Sequence, residues 1–276
     1  MLKTRVITAL VLVGVLLPSL FWLPQAAWAL LTAAVIGVAA WEWGALLGWP
    51  QRARRLLGAA TALICVGLAQ VAPAALGIGT FTPAAPWVVA LYTLSVIFWI
   101  FLIPLWLNRQ WLLSSLAGLL VGAVVLLPTW LALVQLRAVH PGVLLAVMAL
   151  VWMADIAAYF AGRKFGRNKL APSISPGKTQ EGALGAFIGV MLYGLVIGHF
   201  LLAGKVPLTA WMLALVLATA VSIIGDLFES LLKRKAGIKD SSNILPGHGG
   251  VLDRIDSLTS TLPLAALAWL AFLHHA

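Results

Sequence analysis

Charge is scarce in this chain: Asp, Glu, Lys and Arg together make up 9% of 276 residues, while 62% are apolar. Soluble domains carry roughly a quarter charged and about half apolar residues, so a water-soluble globular protein is excluded. Cysteine is scarcer still. The single Cys65 rules out an intramolecular disulfide and a cysteine-rich metal centre; lying inside an apolar run, it reads as a packing residue. Short segments of alternating polarity are missing, which excludes a transmembrane barrel. There is no fixed-period repeat and no low-complexity tail. Acid is the rarest charge, with 8 Asp and Glu against 18 Lys and Arg.

What is abundant is hydrocarbon, in runs of about 20 residues, the length an α-helix needs to cross a core roughly 30 Å thick. Nine such runs are placed at 7–23, 26–48, 56–78, 86–107, 112–135, 141–162, 182–202, 207–228 and 251–273. The expected fold is all-α: a polytopic integral membrane protein of about nine transmembrane helices. The first residues imitate a signal peptide, with Lys3, Arg5, an apolar core and Ala27-Trp28-Ala29. The apolar segment is long for a signal core, and Ala29 falls inside a second run, so the segment reads as an uncleaved first span.

A net charge of +10 raises nucleic acid as a partner, but the placement of the charge argues against it. With a cytoplasmic N-terminus, Lys3, Arg5, Arg52, Arg54, Arg55, Arg109, Arg163, Lys164, Arg167, Lys169, Lys178, Lys233, Arg234, Lys235 and Lys239 share one side. Only Arg137 and Lys205 face the other, with Arg254 at a span end. That asymmetry is the positive-inside pattern. It predicts the C-terminus on the side opposite the N-terminus, and no nucleic-acid partner.

The chain divides into an N-terminal stretch of transmembrane helices, 1–140, and a C-terminal half, 141–276, with two longer cytoplasmic loops, 163–181 and 229–250. The first contains one acid, Glu42, to which nothing nearby in sequence assigns a role; the second contains the other seven. Topology places Asp155, Glu181, Asp226, Glu229, Asp253 and Asp256 at one membrane face. Asp253 and Asp256 are three residues apart, hence on one helical face, and Asp226 and Glu229 repeat the spacing. Acids in a first helical turn can simply complement the helix dipole, and for Asp256 that alternative stands. For the set, ionisable groups at membrane depth cost roughly 2.5 kcal/mol or more each and mark function. Hard oxygen donors without a His–Cys cluster suit Mg²⁺ better than Zn²⁺. Asp226, Asp253 and Asp256 are the expected metal ligands.

The surrounding residues describe a phosphate site. Lys233, Arg234, Lys239 and Arg254 supply cations, although positive-inside anchoring explains Lys235 as well. Gly247, Gly249 and Gly250 would let backbone N–H groups and a helix N-terminus approach an anion. His248 is placed to bond a phosphate or carry a proton, with a purely structural loop histidine as the alternative. The other loop offers Ser175, Lys178 and Thr179 in Ser-Pro-Gly-Lys-Thr, which is no Walker P-loop, since the glycine spacing is wrong and no strand is expected before it. Asp155 and Tyr159 share a helical face. Gly185 and Gly189 form a GxxxG read as close helix packing.

The stretch Ser230 to Asp256, SLLKRKAGIKDSSNILPGHGGVLDRID, resembles the C-terminal signature of the phosphatidate cytidylyltransferase (CDP-diacylglycerol synthase) family. Lys239, Asp240, His248, Gly249, Gly250, Asp253, Arg254 and Asp256 all stand where that pattern has them. SPGKT-x-EG, with 155–162 before it, is similar to a second block of the family; the N-terminal half matches only in being apolar. The resemblance implies transfer of the cytidylyl group of CTP to phosphatidate, giving CDP-diacylglycerol and pyrophosphate for phospholipid synthesis. It implies Mg²⁺, with or without a second cation, a homodimer, membrane-lipid contacts, and an active site on the cytoplasmic face of the cell's plasma or inner membrane. Under it, Asp226, Asp253, Asp256, Lys239 and His248 carry catalysis. Lys233, Arg234, Asp240, Gly249, Gly250, Arg254, Ser175, Lys178, Thr179, Asp155 and Tyr159 bind substrate. The closest alternative is a CTP-dependent transferase acting on another lipid phosphate or alcohol. A cation transporter is remote, since its ionisable groups belong near the midplane on broken helices.

Overall fold

The computed structural model describes residues 2–202 and 206–273, so the expected outer-face Lys205 lies outside the described residues. Proline punctuates the chain. It stands at or just before the first residue of several helices, where its missing N–H has no helical partner and its fixed φ suits helix entry. Pro24, Pro50 and Pro207 precede α2 (Gln25–Leu46), α3 (Gln51–Val71) and α9 (Leu208–Lys235); Pro86 and Pro141 open α4 (Pro86–Ile97) and α7 (Pro141–Phe165). The remaining helices are α1 (Leu2–Trp22), α5 (Ile103–Arg109), α6 (Ser115–Val139), α8 (Gln180–Leu202) and α10 (Leu252–Ala268). A π turn, Phe98–Leu102, joins α4 and α5 into one span, and a second, Trp269–Leu273, extends α10.

Eight spans among the described residues are long and apolar enough to cross a membrane, and the multi-pass all-α class stands. The expected ninth, α10, is the exception: its α-helical part has 17 residues and carries Ser257, Thr259, Ser260 and Thr261, all buried. Three of these hydroxyls donate to backbone carbonyls: Thr259 Oγ1 to Asp256 O at 2.6 Å, Ser260 Oγ to Val221 O at 2.7 Å and Thr261 Oγ1 to Ser257 O at 2.8 Å. Those three hydroxyls are thus satisfied within the protein, as polar groups at membrane depth must be. α10 lies centrally, against α9, α6 and α4, so it joins the two halves of the chain.

Small residues set the closest approaches. A Cβ on Gly185 would meet Ala161 and the Ala157 carbonyl, and one on Gly189 would meet Ala157, so the GxxxG is the α7–α8 contact expected of it. α1 lies at the rim, with Val6, Ile7, Leu10 and Val11 exposed. Its first turns touch the loop before α10, where Thr8 Oγ1 donates to the Pro246 carbonyl at 2.9 Å. The N-terminal end of α1 and the 229–250 loop thus share one face.

At the opposite face, Arg137 is buried and pairs with no carboxylate among the described residues. It donates to the Leu20 carbonyl at 3.0 Å, to the Leu23 carbonyl, and to Gln25 Oε1 at 2.7 Å. Gln25 in turn donates to the Leu76 and Val134 carbonyls at 2.8 and 2.9 Å. These bonds tie the α1–α2 turn to α6.

One element was not expected. The 163–181 loop contains an antiparallel hairpin, β1 (Lys169–Ala171) and β2 (Ser175–Thr179), with Lys169 opposite Thr179 and Ala171 opposite Ser175. The Ser-Pro-Gly-Lys-Thr segment is itself a strand, so it leads directly into α8. Buried Ile174 anchors the hairpin tip.

Candidate active site

α9 runs on for nine residues past Asp226, whereas α10 begins only at Leu252. Contact between the helices fixes their relative depth: a Cβ on Gly225 would collide with Ser260 Oγ and the Asp256 carbonyl. Asp256 is therefore level with Asp226 rather than at the helix tips. From α7, Asp155 completes the group, interacting electrostatically with Asp226, Lys178 and Arg254, while Asp256 interacts with both Asp226 and Asp155. β2 delivers Lys178, whose ammonium pairs with Asp226. The two long loops meet at that ion pair, which the sequence could place on one face but not in contact.

Three carboxylates share this cleft with Lys178 and Arg254, and the cleft is partly open: Asp155 and Arg254 are exposed, Asp226, Asp256 and Lys178 half-buried. Among the described residues no three His, Cys, Asp or Glu side chains stand close enough to cage a metal by themselves. Mg²⁺ does not require such a cage. It keeps several waters and is held by one or two carboxylates together with substrate phosphate oxygens. The oxygen-only donors of Asp226 and Asp256, with excess negative charge around them, fit that ion.

A second constellation lies just inside the first. Asp253, expected as a metal ligand, is buried and accepts four hydrogen bonds. They come from Lys233 Nζ at 2.7 Å, Ser241 N at 2.9 Å, Ser241 Oγ at 3.0 Å and Gly250 N at 2.8 Å. A carboxylate has about four acceptor sites, so Asp253 is committed to the 229–250 loop. Lys233, expected at a phosphate, is held between Asp253 and Glu229, the latter at 3.1 Å. Its i,i+4 spacing from Glu229 on α9 turns it inward. Glu229 is buried, and its only cation among the described residues is Lys233.

The glycines also differ from expectation. Gly249 has φ +83°, a conformation for glycine, and a Cβ there would press on Asp253 Oδ2. A Cβ on Gly250 would land on Ser241 Oγ and Glu42 Oε1. The bare backbone admits protein carboxylates, not a phosphate. The Gly250 N–H goes to Asp253, and the Val251 and Leu252 N–H groups go to Glu42 at 3.0 and 2.6 Å.

Glu42 is thus the residue that sequence reasoning missed. It is fully buried and also accepts from Ser242 Oγ. The available signal was an acid inside an apolar run, which hydrocarbon penalises unless it is used.

Thr179, expected at the nucleotide, is buried. Its Oγ1 accepts from Gly182 N at 3.1 Å and caps α8. Glu181 holds the hairpin base, accepting from Asn168 N at 3.1 Å and Asn168 Nδ2 at 2.9 Å. Ser175 is half-buried on β2, and Tyr159 is exposed, its hydroxyl accepting from Arg163 at 3.2 Å. Arg234, Lys239, Asp240 and Arg254 are exposed and form no ion pair among the described residues. His248 Nδ1 is buried without a hydrogen-bond partner among the described residues, while its backbone N–H donates to the Leu245 carbonyl at 2.8 Å.

Fold and site together define a class: a multi-pass α-helical membrane protein with a hard-oxygen, cation-flanked cleft at one face, suited to phosphate chemistry. The sequence profile of the Cytidylyltransferase family matches residues 3–272, and the chain belongs to that family. A Pseudomonas aeruginosa protein named phosphatidate cytidylyltransferase is 42% identical to it, over 98% of this chain and 98% of the relative. A Haemophilus influenzae protein of the same name is 35% identical, over 95% and 96% of the two chains.

Proposed function

We propose that this chain transfers the cytidylyl group of CTP to phosphatidate, releasing pyrophosphate and forming CDP-diacylglycerol. The observation that carries the reading is the meeting of Asp155, Asp226 and Asp256 with Lys178 and Arg254 at one membrane face. A phosphate monoester oxygen of the lipid attacks the α-phosphorus of CTP in line; the P–O bond to the β,γ-diphosphate breaks and pyrophosphate leaves. Such a reaction asks the protein mainly for positioning and charge neutralisation.

Lys178 and Arg254 are placed to meet phosphate oxygens inside the cleft, and exposed Arg234 and Lys239 to meet them at its mouth. Asp226 and Asp256 would hold Mg²⁺, with Asp155 beside them; the ion supplies charge neutralisation on the triphosphate and its leaving group. Asp253 and Lys233 hold the loop that frames the cleft. His248, half-buried and with its Nδ1 unpartnered among the described residues, is suited to a phosphate hydrogen bond.

The face in question is assigned to the cytoplasm, because it carries the Lys- and Arg-rich loops. The plasma or inner membrane is the location this reading takes, since cytoplasmic CTP and a lipid phosphate would meet at its inner face, and the homodimer is tested by the mass of the protein in nanodiscs.

Purified protein given phosphatidate, CTP and Mg²⁺ should release pyrophosphate, with little release when lipid or Mg²⁺ is omitted. Equal or faster turnover of an isoprenoid phosphate in the same assay would move the assignment to another lipid. No turnover with any lipid phosphate would remove the transferase reading for this chain.

A further inference from the structure

The first 140 residues contain one acid, and its position is unusual. Glu42 lies between Trp41 and Trp43 near the end of α2, fully buried. Its Oε1 accepts from Val251 N at 3.0 Å and from Ser242 Oγ, and its Oε2 accepts from Leu252 N at 2.6 Å. Val251 and Leu252 are the N-cap and first residue of α10. The first N–H groups of a helix have no partner within it, and that end carries positive partial charge. Glu42 answers both needs from another helix, 209 residues away in sequence. Arg54 on α3 lies within its electrostatic reach.

The residues it grips adjoin the cleft. Leu252 precedes Asp253, and Ser242 follows Ser241, which donates twice to Asp253. Gly250 lies between the two carboxylates, with no space for a side chain against Glu42 Oε1. Arg254 and Asp256 follow on the first turns of the same helix. Any shift or rotation of the α10 N-terminus displaces both relative to Asp226 and Lys178.

We propose that Glu42 is a positioning residue for the transfer reaction: from the N-terminal half, it fixes the depth and rotation of α10 and so sets Asp256 and Arg254 against Asp226. The proposal rests on the cytidylyl-transfer reading of the cleft. A carboxylate is required because three donors converge on it. Glutamine keeps the shape, but its amide nitrogen is a donor and in either orientation would face a backbone N–H, that of Val251 or of Leu252.

The test uses the full chain in detergent or nanodiscs, comparing the parent with Glu42→Gln, Glu42→Asp, Ser242→Ala and the Glu42→Gln/Ser242→Ala double variant. Glu42→Gln should lower kcat about tenfold or more, with KM for CTP and for phosphatidate each within about threefold. Glu42→Asp, which keeps the charge on a shorter arm, should recover part of kcat. Ser242→Ala should show a smaller loss, and the double variant less than the product of the two, because both touch one network. A merely structural role predicts the opposite split, a lower melting temperature with kcat per folded molecule unchanged.

Should Glu42→Gln fail to fold, Ser242→Ala carries the decision, and a kcat within about twofold of the parent would overturn the proposal. A KM for either substrate raised about tenfold with kcat intact would also overturn it, making Glu42 a binding determinant. A parent without CTP turnover sinks the reaction assignment itself, a result distinct from an active parent whose variants are equally active.

Discussion

Lys233 stands between Glu229 and Asp253, 3.1 and 2.7 Å from their oxygens. Removing one member of such a buried ion pair leaves an uncompensated charge and typically costs about 3–5 kcal/mol. Asp226 is different: half-buried, it meets Lys178 at an open cleft. These two acids predict separable failures. Asp226→Asn should retain the parental melting temperature within a few degrees while losing about 100-fold or more in kcat, as expected for a group that acts at the reaction centre. Asp253→Asn should lose activity and also unfold earlier, because one of its four donors would then face an amide nitrogen. Parallel thermal-shift and pyrophosphate assays separate them; an Asp253→Asn protein as stable as the parent but inactive would return Asp253 to the metal site. At this scale Asp155, Asp226, Asp256 and Lys178 were legible from residue type and topology. Thr179 and Lys233 were not, because a hydroxyl or ammonium near a span end looks the same in sequence whether it faces substrate or caps a helix.

The helices act as rulers for these side chains. Phe228, between Leu227 and Glu229 on α9, packs edge-on against Trp99 and Trp106, with centroids 5.7 and 5.6 Å apart. The π turn between α4 and α5 carries Trp99 to that contact, and π turns insert one extra residue per turn, which re-aims the side chains of the next helical segment. On the other side of the cleft, α7 and α8 close over Gly185 and Gly189, fixing Asp155 relative to the hairpin that bears Lys178. Gly185→Leu should therefore destabilise by about 1–3 kcal/mol through overpacking, seen as a lower melting temperature in detergent. It should also lower kcat, as Asp155 and Lys178 move apart; an unchanged melting temperature would mean that the two helices separate freely. The GxxxG spacing announced this contact in the sequence. The β1–β2 hairpin was hidden, since its Gly and Pro content reads as an irregular loop and its pairing is only a few residues long.

Across the whole molecule the two faces are built differently. One carries the acidic cleft, the hairpin and the loop gripped by Glu42; the other is closed by Arg137, Gln25 and the carbonyls they satisfy. Arg137→Leu should lower stability by about 2–4 kcal/mol, since several carbonyls lose their donor, yet leave KM for CTP unchanged. Loss of CTP affinity in that variant would show that the faces are coupled. Orientation is open to labelling, because Cys65 is fully buried. With Cys65→Ser as background, an impermeant thiol reagent should label Ser173→Cys only in inverted vesicles and Thr80→Cys only in intact cells, both positions being exposed. The reverse pattern would place the cleft outside.

By itself the sequence determined the solvent, the order of the apolar runs, the face on which charge gathers and the family signature. Each of these depends on composition or on local spacing, which chain order preserves. Tertiary structure alone decided which carboxylates face the cleft and which hold it together. Glu42 reaches Val251 and Leu252 across more than 200 residues, and Asp253 turns to Ser241 and Gly250 because the α9–α10 loop folds back onto α10. Hydrogen bonds act over about 3 Å of space, and nothing in residue order encodes that distance until the helices pack.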